Sequence, residues 1–266
     1  MIDIIGRFLQ YVFSSPKLEG RVLVDMISQL QFEMKFLSSR RRFLDMLSRA
    51  HPSSADKRLF PLRSVAFDAL VEVFISFLND CQVFKDFLSA QKLIGFAETF
   101  VRVDDHASPH RGSADSDDTT DTGMEDGELT VGLLNSMVEG NVPIESICDK
   151  IKHHRIFHNL ELWKVVLHSV EVMYKSGHTA RYNSMAGSAV TVKLCRSVLV
   201  MMLSLEVNLD RAMAFIQLVS SEWKLEMNSY FDLQRFTSDL WKDTGTSFCH
   251  TRLTYFVHKT TKNVIN

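Results

Sequence analysis

Three neighbouring histidines, His153, His154 and His158, come closer to a metal site than any other group in this 266-residue chain. On an unbroken helix His154 and His158 would share one face, four residues apart, as the paired histidines of a zinc helix do. Such a site takes its general base from a Glu directly after the first histidine, and here that place holds Arg155, a cation where a base is required. A zinc ion would also need a third ligand from elsewhere in the chain. Two readings follow: a solvated helix boundary, or a metal-dependent enzyme of unrecognised type built around these histidines.

Other catalytic constellations are missing. Cys81, Cys148, Cys195 and Cys249 lie far apart and form no CxxC pair, which suits reduced thiols in a cytoplasmic protein. A phosphatase-type loop needs an Arg six residues after its Cys, and those positions hold Phe87, His154, Met201 and Tyr255. There is no GxSxG elbow, GxxxxGK[ST] loop or GxGxxG turn. The chain therefore reads as a non-enzyme that calls for no cofactor.

Charge narrows the partners. Thirty Lys and Arg against 32 Asp and Glu give a net charge of −2, too weak a field to suggest nucleic acid. The acids are concentrated: Asp104 to Glu128 holds nine against one base, Arg111, and leaves the remainder net basic. Within that run Ser113, Ser116 and Thr122 stand as phosphorylation candidates, Thr122 with an acid three residues on. Arg40, Arg41 and Arg42 form the densest basic cluster, a candidate contact for an anionic lipid surface, although on one helix they point in different directions. The opening residues lack a basic segment and a small-residue cleavage site, so no secretory signal is expected. The charge-free run Ser197 to Leu205 is too short to span a membrane, so no transmembrane segment is expected.

The elements that would position these residues are helical. Only 11 Gly and 5 Pro interrupt the chain, and 19 Phe against 5 Tyr mark aromatics that fill space rather than supply hydroxyls. The spacing predicts an all-α fold, an irregular bundle of about nine to eleven helices. Residues 1–50 give a short helix through Ile5, Leu9 and Val12 and one long helix from Val22 to Leu47. Residues 60–102 give a helical pair: Pro61 opens the first, with Ala66, Leu70, Val73 and Phe77 on its stripe, and the second runs from Val83 to Val101. Residues 103–127 are too polar to form a core and are expected to be a disordered insertion. The rest, 128–266, restarts at Glu128 to Glu139 and again after Pro143. It continues with a helix capped by Asn159 and ended by Gly177, a nearly all-apolar central helix from Gly187 to Glu206, and one capped by Asn208 or Asp210. After Gly245 helix and strand compete, and no repeat of fixed period is visible.

Three stretches resemble, in order, the conserved helical region of the SET-binding factors, the large myotubularin-related pseudophosphatases, which a small uncharacterised protein shares. The first matches through Leu78, Asp80, Cys81, Asp86, Ala90, Lys92, Leu93, Ile94, Thr99 and Phe100. The second, ICDKIKHHRIFHNLELWKVVL, matches through His154, Ile156, Phe157, Leu160, Leu162 and Trp163, with Arg155 where the family has proline and Phe157 where it has tryptophan. VLVMMLSLEVNLDRAMAFI resembles the helix turn that follows. The similarity spans about residues 62–240 and carries no catalytic residue across. It implies a non-catalytic, cytoplasmic protein-interaction module, an adaptor or regulator in membrane trafficking or Rab GTPase control, with peripheral membrane contact. Its protein partner would be sought at the Trp163 and Trp223 helices, unless both indoles belong to the core.

Overall fold

The structure is a computed structural model that describes residues 3–14, 20–50, 57–61, 63–103, 144–177 and 187–243. The acidic run with Ser113, Ser116 and Thr122, the expected helix at 128–139, and the segment after Gly245 with Cys249 lie outside the described residues.

Ten α-helices lie among the described residues: α1 (Ile4–Ser14), α2 (Gly20–Glu33), α3 (Leu37–Ala50), α4 (Val65–Phe84), α5 (Phe87–Ala97), α6 (Ile147–Ile151), α7 (Leu160–Gly177), α8 (Gly187–Ser204), α9 (Leu209–Trp223) and α10 (Met227–Asp243). The chain is an all-α bundle with one small sheet, and a single apolar cluster runs from Ile5 to Leu233. No helix among the described residues is long and apolar enough to cross a membrane. Helix α8 buries Val190, Leu194, Cys195, Val198, Leu199, Val200 and Met202, as its all-round apolar sequence requires. Asn208, not Asp210, caps α9 by accepting the Arg211 N–H at 3.0 Å.

The long helix expected over Val22 to Leu47 is two helices, broken at residues 34–36. Arg40 makes the break. Its side chain is 2% exposed, and its Nη1 donates to the carbonyls of Met34 (2.7 Å) and Lys35 (3.2 Å), groups that the end of α2 leaves without helical donor partners. Its Nε donates at 2.8 Å to Asp86, whose other oxygen caps α5 through the Ser89 N–H. The guanidinium also lies 5.3 Å from the centre of the Phe84 ring. One cation thus joins the α2–α3 turn to the α4–α5 turn.

The second helix of the pair is also shorter than its periodicity predicts. Lys85 takes the left-handed conformation (φ 55°) that closes α4, Asp86 starts α5, and α5 stops at Ala97. Phe100 to Val103 instead form a strand, β2, because Phe100, Val101 and Val103 are residue types that suit a pleated surface and the segment has partners on both sides. On one side β1 (Arg58–Pro61) runs parallel to it, and on the other β3 (Ile144–Ser146) runs antiparallel. Pro61 therefore ends a strand rather than opening a helix, and Ser64 caps α4 instead. Phe100 stacks on Phe13 of α1 at 5.8 Å and meets Phe60 of β1 and Phe74 of α4 at 6.4 and 6.2 Å, so the sheet pins the first helices together. Opposite each other in the register, Arg102 and Glu145 pair, and Arg102 also reaches Asp68 of α4 at 2.9 Å. Burial alone would raise the Glu145 carboxyl, but hydrogen bonds from Lys150 and Arg102 outweigh it and hold the group low.

Removing one partner of a buried ion pair strands the other, whereas an exposed pair contributes little. Arg40→Met is expected to lower unfolding free energy by about 3–5 kcal/mol in urea denaturation. Arg42→Ala, which breaks the exposed 2.7 Å contact with Asp3, should cost less than about 1 kcal/mol.

Candidate functional site

The helix expected to carry the histidines ends before them. Ser146 caps α6 in a reciprocal arrangement with Asp149, α6 stops at Ile151, and a short 3-10 turn, Arg155–His158, begins after His154. His154 caps that turn: its Nδ1 accepts the Ile156 N–H at 3.2 Å, so its Nε2 carries the proton and faces Asn79 Oδ1 at 3.2 Å. Burial, with the nearby Arg155 charge, lowers its pKa to about 4, so the ring is neutral at pH 7. His153 points outward, 3.6 Å from Glu206, and His158 is exposed. Among the described residues no group of His, Cys, Asp or Glu converges to hold a metal ion. The three histidines are therefore not an assembled ligand set, and both nitrogens of His154 are engaged in the protein.

The thiols are equally withdrawn. Cys81, Cys148 and Cys195 are free and buried; burial pushes all three up, Cys195 to about 12, and keeps them protonated and poorly nucleophilic. Arg40 faces the interior and leaves the expected basic surface, to which Arg41 and Arg42 remain exposed. Trp163 is 1% exposed, its indole N–H donates to the Phe157 carbonyl at 2.8 Å, and the two rings lie 6.3 Å apart. It is a core residue, which corrects its expected role as a partner anchor. Trp223 is only partly buried, at the end of α9.

Exposed apolar side chains gather at two corners, while others, among them Val24, Val172 and Met173, are exposed elsewhere. At the α9–α10 turn, Lys224 is left-handed (φ 49°), Trp223 precedes it, and Met227 and Phe231 are 67% and 55% exposed. At the opposite end of the sequence, Phe32, Phe36 and Leu37 flank the α2–α3 turn and Val83 and Phe84 the α4–α5 turn, from 42% exposed at Leu37 to 63% at Val83. Neither corner follows from helical spacing alone. Phe84 falls among the apolar residues of an expected continuous helix, and only the turn at Lys85 exposes it. Compared with known proteins, the chain matches no family model, no curated protein and no solved structure.

The His154 titration has a definite sign. The unfolded chain takes up a proton near the ordinary value of 6.5, while the folded chain resists it until about 4. Stability from this group is therefore complete above pH 6.5 and is lost as the pH falls toward 4. His154→Asn keeps a capping side chain and removes the titration. The urea midpoint of that variant should depend less steeply on pH between 6.5 and 4 than the wild-type midpoint does.

Proposed function

We propose that the chain is a non-catalytic helical interaction module, an adaptor or regulator that takes a protein partner at the α9–α10 corner. The observation that carries this reading is the exposed Met227 and Phe231 beside partly exposed Trp223, residue types that supply binding energy once a partner excludes water from them. The inward engagement of His154, of Cys81, Cys148 and Cys195, and of Arg40 supports a binding role over a chemical one.

The resemblance to the SET-binding-factor helical region gives the reading a direction. Its three segments fall on α4–α5, α6–α7 and α8–α9, and most of its apolar matches, among them Leu78, Cys81, Ala90, Leu93, Phe100, Ile156, Leu162 and Trp163, are core positions. Arg155, where the family has proline, is the first residue of the 3-10 turn, a place that suits proline. On that basis the partner is a trafficking GTPase of the Rab type or a regulator of one, and the module acts in the cytoplasm. The metal-enzyme alternative has no convergent ligand set among the described residues to support it.

Met227→Asp with Phe231→Ser changes exposed positions and should leave the urea midpoint unchanged. Tested against a panel of purified Rab GTPases and their regulators, wild type is expected to bind one member, and the double variant to lose about 2 kcal/mol of that affinity. Equal binding by both proteins would remove the corner from the interface, and binding to no member would remove the trafficking direction.

A further inference from the structure

We infer that the paired α2–α3 and α4–α5 turns form a docking surface for an anionic lipid membrane, separate from the α9–α10 corner. The two turns lie side by side because Arg40 binds Asp86 at 2.8 Å and the Met34 and Lys35 carbonyls together, with Phe84 against its guanidinium. The shared end carries Phe32, Phe36, Leu37, Val83 and Phe84, all exposed, with Phe32 and Phe36 edge to face at 5.8 Å.

Three exposed cations are interleaved with these side chains. Lys35 lies between Phe32 at the end of α2 and Phe36 in the turn, with Nζ 5.6 Å from the Phe32 ring centre; Lys85 follows Phe84; and Arg41 stands one turn beyond Leu37 on the same face of α3. None of the three forms an ion pair among the described residues. Of the nearby acids, Asp86 is held by Arg40, Glu33 accepts the Ser39 hydroxyl at 2.9 Å, Asp80 lies in the groove beside Lys35, and Asp45 and the Arg42-paired Asp3 line a hollow with Arg41. Aromatic side chains flanked by Lys and Arg suit an interface where rings enter the acyl boundary and cations meet anionic headgroups.

The shape favours a membrane over a partner helix. The apolar residues cluster about two helix-end turns, and the adjoining α2–α4 groove continues them only through Phe32 and Ile75, its other walls being Ser28, Gln31, Lys35, Glu72, Ser76, Asn79 and Asp80. An amphipathic helix would need an apolar slot there, whereas a fluid interface needs none.

The test is co-sedimentation of the purified full chain with phosphatidylcholine vesicles, with and without phosphatidylserine. Wild type is expected to sediment with the anionic vesicles alone and to be released by salt. Lys35→Glu/Lys85→Glu and Phe36→Ser/Val83→Ser should each bind at least about tenfold more weakly at an unchanged urea midpoint. Phe36→Trp should be quenched by bromine-bearing acyl chains beyond any wild-type quenching. Failure of wild type to sediment with anionic vesicles, or undiminished sedimentation of both double variants, overturns the inference. So does a Phe36→Ser/Val83→Ser protein that keeps vesicle binding and loses a protein partner, which would make this end a protein-binding face. None of these outcomes bears on Met227 and Phe231, so the proposed partner site stands or falls separately.

Discussion

A single buried guanidinium orients the front of this protein. Arg40 is enclosed, and the desolvation of a cation is offset here by a carboxylate, two helix-terminal carbonyls and an aromatic face at once. The same group closes α2, holds the residue that starts α5, and fixes the angle at which α3 leaves its turn. An apolar side chain of similar volume could fill the space, but it would supply none of these directions. The exposure of Phe36 and Phe84 depends on this arrangement, since both sit on turns that the ion pair brings together.

The same inward use of polar groups recurs through the fold. His154 starts the 3-10 turn and reaches Asn79 of α4, Trp163 ties its indole to the Phe157 carbonyl, and Trp241 donates to the Val207 carbonyl at 3.1 Å. Each satisfies a backbone or side-chain group that packing would otherwise leave unpaired in a low-dielectric interior. Residue types that signal chemistry in a sequence serve here as joints between helices. What faces solvent at the two corners is apolar surface, the observation on which the proposed binding role rests.

Helices α7 and α9 were legible because their faces repeat at helical spacing and their limits are local, with Asn159 and Gly177 at the ends of α7 and Asn208 at the start of α9, and α8 because it is apolar nearly all round. The breaks were not legible, because they are settled at long range. Arg40 finds Asp86 46 residues away, and nothing within α2 announces the interruption. The sheet was hidden for the same reason, being made of strands of three or four residues that acquire meaning only beside one another. Pro61 was a false start signal, since the position that suits a helix start also suits the end of a strand, and Ser64 does the capping. Trp223 was legible as a candidate by residue type, whereas the exposure of Phe32, Phe36 and Phe84 depends on how the turns are placed.

The register of β2 against β3 sets Val103 directly opposite Ile144. The chain therefore leaves the described body at Val103 and re-enters it at Ile144, two neighbouring points. For such a closed excursion the entropic cost grows only with the logarithm of length, about 0.6 kcal/mol for each doubling. A connection between these two points can thus differ in length at little entropic cost to the core. The two short strands act as a clasp that isolates the fold from whatever sequence is carried between them.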